Sequence, residues 1–291
     1  MITNAPLVSV IIPTFNRARE LERCLDSVLT QTYPHFDIWV CDDGSTDNTA
    51  EVVARFQERV SITYRNSINY GGPAWGRNWA LTNSEATYLA FLDSDDFWLP
   101  EKLALSVEEL ERGADFVYHP LKIARQGFKF LSRKRLKSRA LRTPIFGDLL
   151  EKGNPVPNSS VVLRRELLLS IGGFEEREEL IAWEDYDAWL RLSKITDKFS
   201  FIPQALGSYW VGSDNLTNSS AKTIDRLHSF QKRYLTNVPP EVMPAWFNYE
   251  LGRGYLRLGN RHQGRQSLGW AIKKGLSPLT FLNAAWLWLS A

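Results

Sequence analysis

The 291-residue chain reads as an α/β protein, a mostly parallel sheet flanked by helices and followed by an α-helical C-terminal extension. Two observations predict this. Short β-branched runs alternate with helical periodicity through roughly the first 120 residues, the pattern that right-handed βαβ crossovers produce. Beyond residue 222 only helical periodicity remains, which divides the chain into residues 1–221 and a helical region of residues 222–291.

Taken in order, Val8-Ser9-Val10-Ile11-Ile12 is a fully buried strand that Pro13 ends. Leu21, Cys24, Leu25, Val28 and Leu29 then recur at i, i+3, i+4, i+7 and i+8, one apolar stripe on a helix. Asp37 to Cys41 is a second strand, and Asp42-Asp43-Gly44-Ser45 is the turn after it. A third unit comprises a helix to about Phe56, a strand from Ser61 to Tyr64 and a Gly-rich loop from Asn69 to Gly76. The fourth has a helix from Arg77 to Thr82, a strand from Tyr88 to Leu92 and the acidic loop Asp93-Ser94-Asp95-Asp96. Polar loops after strands one, two and four therefore collect at the carboxyl edge, where open α/β sheets bind ligands.

Pro100 sits at a helix start, with Leu103, Val107 and Leu110 at helical spacing. Phe116 to Tyr118 and Ser160 to Leu163 are further strands. The turn Ile171-Gly172-Gly173-Phe174 leads to Trp183-Glu184-Asp185-Tyr186-Asp187, where Tyr186, Trp189, Leu190 and Ser193 mark a helix. Near the end, Pro244 to Leu258 and Gln263 to Lys274 are spaced to pair as a helical hairpin.

Composition excludes several classes. With 44% apolar and 23% charged residues the chain can bury a sizeable core, which argues against disorder. A net charge of +2 implies no nucleic-acid partner. That balance hides an asymmetry, because Lys122 to Arg142 carries nine Lys or Arg and no acid. Interspersed Phe128, Phe130 and Leu131 make this segment a candidate for anionic lipid headgroups or a lipid-diphosphate acceptor; a solvated loop is the alternative. Together with the apolar stretch from Leu279 to Ala291 it suggests peripheral contact with the cytoplasmic face of a membrane. No stretch reaches the roughly 20 apolar residues that span a bilayer. No basic region precedes the first apolar run, so a cytoplasmic location is expected. The two cysteines, Cys24 and Cys41, cannot form a disulfide scaffold or a Cys-based zinc site and read as buried. The four histidines lack metal-ligand spacing.

Three acidic motifs carry the chemistry. Asp42-Asp43-Gly44-Ser45 could be an ordinary turn, but a buried strand precedes it and a helix follows. Its carboxylates would then point from the sheet edge into a cleft, where one could accept the N3 hydrogen of a uracil. In Asp93-Ser94-Asp95-Asp96, capping the next helix needs one acid, yet three stand within four residues. They repel one another unless a cation or hydrogen bonds compensate. A Mg²⁺ or Mn²⁺ ion bridging to phosphate oxygens fits that need. Glu184-Asp185 at a helix start would favour the macrodipole; the alternative is that it supplies a general base. Trp98 and Trp183 flank the two later motifs and could stack on a sugar or acceptor ring, with Glu184 beside them.

These residues together resemble the family 2 inverting glycosyltransferases, which have the GT-A fold, a Rossmann-like α/β architecture. Val8 to Asn16 is similar to the family's opening strand, Ser27 to Thr32 to the end of its first helix, and Val40 to Asp47 to its nucleotide-binding turn. Asp93-Ser94-Asp95 resembles its DxD motif, and Glu184 to Leu192 its catalytic segment. The resemblance covers roughly residues 7 to 212, with the motifs in the family's order.

The resemblance implies transfer of a sugar from a nucleotide-diphosphate sugar, with UDP the expected nucleotide, to an acceptor hydroxyl in cell-surface glycan synthesis. Pro13 and Thr14 would contact the nucleoside and Asp43 the base, with Asp42 as its neighbour. Asp93 and Asp95 would hold a divalent metal, with Ser94 between them, and Arg77 would steady those carboxylates or the diphosphate. Asp185 would be the general base. Pro73 and Trp75 stand where the family commonly has small residues. The acceptor would be a glycan, a lipid-linked sugar or a protein.

Two other readings compete. A nucleotidyltransferase usually carries a Gly-rich basic loop after its first strand, and this chain has Pro13-Thr14-Phe15-Asn16-Arg17 instead. A catalytically degenerate sugar-nucleotide sensor or scaffold would not need both the DxD and the Glu184-Asp185 motifs.

Overall fold

A computed structural model describes residues 5–125, 134–212 and 220–290. The strands and helices follow in chain order. Strand β1 (Val8–Thr14), helix α1 (Ala18–Leu29), β2 (Phe36–Asp42), α2 (Thr49–Gln57), β3 (Ile62–Asn66), α3 (Pro73–Asn83) and β4 (Tyr88–Phe91) form the regular βαβ half. Then come β5 (Phe97–Trp98), α4 (Lys102–Glu111), β6 (Phe116–Tyr118), β7 (Lys122–Arg125), α5 (Ile145–Lys152), β8 (Val162–Arg164) and α6 (Arg165–Ser170). Helix α7 (Glu184–Leu192), β9 (Phe199–Phe201), β10 (Gly207–Val211), α8 (Ser220–Tyr234), α9 (Ala245–Arg257), α10 (Arg261–Lys274) and α11 (Pro278–Ser290) complete it.

The main sheet has seven strands in the order β3-β2-β1-β4-β8-β6-β9. Strand β1 is parallel to β2 and β4, and β2 is parallel to β3, so the loops after β1, β2 and β4 share one edge. Residues Val8, Val10, Ile11 and Ile12 of β1 are wholly buried because helices cover both faces, which is why the strand reads as a continuous apolar run. Strand β8 runs antiparallel to both its neighbours, the exception in a mostly parallel sheet. A second, three-stranded sheet has the order β5-β10-β7. Its strands are two to five residues long, too short for an alternating pattern to stand out in the sequence.

Two compact units emerge, Met1–Leu141 with Pro155–Ser213, and Arg142–Asn154 with Asp214–Ala291. The second unit therefore starts ahead of residue 222 and also takes in α5, which sequence periodicity did not single out. Within that unit, Ile145 and Leu149 of α5 are buried, and Trp246 Nε1 of α9 donates to the Leu150 carbonyl at 2.9 Å. Helices α9 and α10 pack as an antiparallel hairpin at small residues: a Cβ on Gly252 would meet Leu268, and one on Gly264 would meet Leu256.

Part of the basic stretch of residues 122–142, namely 126–133, lies outside the described residues. Its flanks pair with each other. The Ile123 amide donates to the Lys134 carbonyl and the Leu136 amide to the Leu121 carbonyl, both at 2.9 Å. No helix among the described residues is long and apolar enough to cross a membrane. Cys24 and Cys41 are both free and buried.

Candidate active site

The first loop of the carboxyl edge follows β1. Pro13 and Thr14 are its last two strand residues and are buried; the Thr14 carbonyl accepts from the Asp43 amide at 2.9 Å. Thr14 Oγ1 is buried with no partner among the described residues. Asn16, at φ 51°, ties this loop to the next: its amide donates to Ser45 Oγ, and its Oδ1 accepts from the Thr46 amide.

Asp42 is the last residue of β2 and Asp43 the first of the turn after it, and their carboxylates take different partners. Asp42 is 1% exposed, and its carboxylate accepts from the Ser45 amide at 2.8 Å and from the Tyr64 hydroxyl at 2.6 Å. Asp42 thus fixes the turn from inside. Asp43 is half-buried and accepts from the Tyr70 and Gly71 amides at 2.7 and 3.0 Å. Burial raises its pKa against those bonds. The turn depends on Gly44 at φ 83°, where a Cβ would also press on the Ser67 carbonyl and the Asn69 amide.

Helix α3 lies close to β2. A Cβ on Gly76 would stand 2.6 Å from that of Cys41, so only glycine lets the helix approach. Pro73 takes a first-turn position in α3, and the Trp75 ring stacks on Tyr70 at 4.7 Å and 16°. The departures at Pro73 and Trp75 thus build one wall of a pocket also lined by Gly72, Glu176, Ile181 and Glu184.

Arg77 follows, 2% exposed. Its Nη2 donates to Asp93 Oδ1 at 2.7 Å and its Nη1 to Glu184 Oε1 at 2.6 Å. The guanidinium lies 5.4 Å from the Phe174 ring centre. Burial works against its charge, but Asp93, Glu184 and Asp185 outweigh that and raise its pKa. Asn78 secures the same helix: its Oδ1 accepts from the Phe174 amide and its Nδ2 donates to the Phe174 carbonyl, at 2.7 and 2.8 Å.

The acidic loop after β4 is held from four directions. Asp93 Oδ1 also accepts from Asn158 Nδ2 at 3.1 Å, and the Asp93 amide donates to Ser159 Oγ. Ser94 is buried. Asp95 pairs with Arg17, and its carbonyl accepts from Arg23, whose guanidinium lies over Trp210 at 4.1 Å. Asp96 is buried and accepts from the Trp210 amide at 2.9 Å. Burial pushes both Asp95 and Asp96 up; Arg17 pulls Asp95 back while Asp93 repels it, and Asp95 and Asp93 push Asp96 further up. Sequence reasoning missed Arg17, Arg23, Asn158 and Ser159, whose contacts span long sequence separations that no local pattern encodes.

Helix α7 presents the last motif. Glu184 is 3% exposed and serves Arg77 as an internal counter-ion. Asp185 is less enclosed by its neighbours, and its Oδ1 accepts from the Tyr186 amide at 2.6 Å. Burial, then the Glu184 charge, push its pKa up to about 7, against the pull of Arg77. Asp187 anchors the helix through Arg191, which also donates to the Ile171 and Gly173 carbonyls. Trp183 is half-buried at the start of α7. Trp98, by contrast, is 3% exposed: its Nε1 donates to the Ser159 carbonyl at 2.7 Å, and Lys102 Nζ lies 3.7 Å above its ring. An indole so enclosed cannot stack on an acceptor, which corrects that expectation.

Residues 9–171 match the glycosyl transferase family 2 model, more than half of the chain. The chain belongs to glycosyl transferase family 2. An Escherichia coli relative, the UDP-Glc:alpha-D-GlcNAc-diphosphoundecaprenol beta-1,3-glucosyltransferase WfgD, is 31% identical over 193 residues, 65% of this chain and 70% of that protein. The Bacillus subtilis glycosyltransferase TuaG, named for teichuronic acid biosynthesis, is 38% identical over 117 residues, 39% of this chain and 46% of that one. A Nostoc glycosyltransferase is 34% identical over 169 residues. The chain spans about half the length of these last two relatives.

Family 2 membership agrees with the architecture. Staphylococcus aureus TarS, residues 1–349 in complex with UDP-GlcNAc, superposes with a TM-score of 0.65 at 19% identity, covering 97% of this chain and 88% of that one. The Pyrobaculum calidifontis mannosyltransferase PcManGT, in complex with GDP-Man and Mn2+, gives 0.61 at 22%, covering 99% and 81%. The fold of this family 2 chain is GT-A.

Proposed function

We propose that this glycosyltransferase moves a sugar from a nucleotide-diphosphate sugar to an acceptor hydroxyl with inversion, in the assembly of a cell-surface glycan. The observation that carries the reading is the Arg77 bridge, which brings the DxD loop and the Glu184-Asp185 motif onto one buried cation. UDP is the nucleotide favoured, supported by the UDP-sugar named for the E. coli relative.

In this reading Thr14, Pro13 and Asp43 hold the nucleoside, Asp43 being kept in place by the Tyr70 and Gly71 amides. The DxD carboxylates suit a hard divalent ion, because burial raises the Asp95 pKa against the pull of Arg17, and a cation would favour its charged form beside Asp93. No group of three His, Cys, Asp or Glu among the described residues forms a complete cage. Asp93 and Asp95 would hold Mn²⁺ or Mg²⁺ together with substrate oxygens. When bound, the ion supplies charge neutralisation at the leaving diphosphate.

Asp185 takes the proton from the acceptor hydroxyl. The hydroxyl oxygen bonds to the anomeric carbon as the bond from that carbon to the diphosphate oxygen breaks, and the electron pair leaves with the diphosphate. A carboxylate raised to about 7 is a stronger base than an ordinary aspartate. Trp183, at the start of α7, is the aromatic candidate for the acceptor side. A lipid-linked sugar is the favoured acceptor class, on the strength of the diphosphoundecaprenol named for the E. coli relative.

The test is a panel of nucleotide sugars with Mn²⁺, read as nucleoside diphosphate release with and without lipid-linked sugar acceptors, and as the anomeric configuration of the product. Mn²⁺-dependent turnover of a UDP-sugar with inversion is expected. Retention of configuration, or binding without turnover across the panel, would overturn the reading.

A further inference from the structure

Helix α11 contains no charged residue, and Ala284 is its one buried side chain. At 100° per residue, Leu279, Leu282, Trp286 and Leu289 fall within about 80° of arc, a narrow stripe along one face. Their exposures are 64%, 64%, 68% and 71%, so no part of the described chain covers the stripe. The opposite face carries Ala284 and Trp288 and packs on α10: Trp288 lies near Gly269, and Arg265 donates to the Trp288 carbonyl at 3.1 Å. The helix is thus held along one side while presenting four large apolar side chains on the other.

Charge distinguishes the occupant. After Glu250 the sequence has no Asp or Glu, but it has six cations: Arg253, Arg257, Arg261, Arg265, Lys273 and Lys274. Lys273 and Lys274 close α10 just before α11 begins, and Arg265 stands at its far end against Trp288. A second copy laid on the stripe, in either direction, would set the cations flanking one α11 against those flanking the other, and α11 itself carries no acid to pair with them. A bilayer with anionic lipids offers an apolar interior to the stripe and negative headgroups to both ends, and tryptophan favours that interface.

We propose that α11 lies in the plane of an anionic lipid surface, with Leu279, Leu282, Trp286 and Leu289 below the headgroups and Lys273, Lys274 and Arg265 among them. With Ala284 and Trp288 held against α10 on one side and the apolar stripe exposed on the other, the helix offers the lipid one long face, as an interfacial helix does. This inference uses no catalytic residue, so it stands or falls separately from the sugar-transfer reading.

The experiment is co-sedimentation of the full chain with phosphatidylcholine vesicles, with or without about 30 mol% phosphatidylglycerol. Binding at least tenfold tighter to the anionic vesicles is expected, weakened at least tenfold by Leu282→Glu. Quenching by brominated lipid should fall in Trp286→Phe, which keeps the stripe apolar, and thermal melting should report that both variants are folded. Equal sedimentation of the parent protein and Leu282→Glu would overturn the proposal. So would a concentration-dependent dimer that Leu282→Glu dissolves, since that would make a second copy the occupant.

Discussion

Arg77 Nη1 lies 2.6 Å from Glu184 Oε1, and both side chains are almost wholly buried. The pair joins α3 to α7, and the second Arg77 nitrogen reaches Asp93, so one guanidinium sets the spacing of two acidic motifs far apart in the chain. Removing one member of a buried pair strands the other charge. Arg77→Ala is expected to lower unfolding stability by about 3–5 kcal/mol. Arg77→Lys should fold better but lose nucleotide affinity, because an ammonium cannot span both carboxylates as a planar fork does. Urea unfolding and nucleotide titration of the two variants make the comparison; wild-type stability in Arg77→Ala would refute the bridging role.

Asp185 should govern the pH dependence of transfer. Its pKa near 7 means that a growing fraction of carboxylate is available as pH rises, so the transfer rate should climb through pH 7 and level off above it. Asp185→Asn should cut transfer at least about 1000-fold and leave nucleotide affinity within about twofold. Initial rates from pH 5.5 to 9, with nucleotide titration alongside, test both statements.

The same shift makes Asp185 a stability cost. Its folded pKa lies above the roughly 3.9 of an unfolded aspartate, so between those values the folded state binds more proton. Its contribution is favourable below the unfolded value and is lost as pH rises through 7. Asp185→Asn should therefore melt a few °C higher than the parent at pH 8, by less at pH 5, and should match it only below the unfolded pKa of roughly 3.9. A lower melting temperature at pH 8 would contradict the assignment of the shift to burial and Glu184.

Asp42 and Asp95 should separate structure from binding. Asp42→Ala removes the partners of Ser45 and Tyr64 in a buried turn, and a loss of about 2–4 kcal/mol is expected. Asp95→Ala should leave stability nearly unchanged, because the lost Arg17 pair is offset by relief of the buried carboxylate beside Asp93, and should abolish Mn²⁺-dependent nucleotide binding. Thermal shift with and without Mn²⁺ and nucleotide reads both; an undiminished Mn²⁺ effect in Asp95→Ala would sink the metal assignment.

Gly76→Ala places a methyl group 2.6 Å from the Cys41 Cβ, and overpacking there is expected to cost about 1–3 kcal/mol. Cys41→Ala should give no relief, since it keeps the Cβ, whereas Cys41→Gly should restore part of the loss. A double-mutant cycle by denaturant unfolding measures that difference.

The sequence by itself determined the order of strands and helices in the βαβ half and the placing of three polar loops, two of them acidic, at one sheet edge. Those features follow from periodicity and from the parallel pairing it implies, both local in origin. Tertiary structure alone decided what each acid does. Asp42 and Asp43 are identical neighbours in the chain, yet one ends β2 bonded to Tyr64 and the other, in the turn, accepts from the Tyr70 and Gly71 amides. Glu184 and Asp185 also part, one neutralising Arg77 and the other raised to about 7 by burial and then by the Glu184 charge. Trp98 looked like a sugar platform until packing enclosed it between Ser159 and Lys102. Residue type and spacing prescribe which groups reach an edge, but burial and charge partners come from segments distant in sequence, and those set pKa, exposure and role.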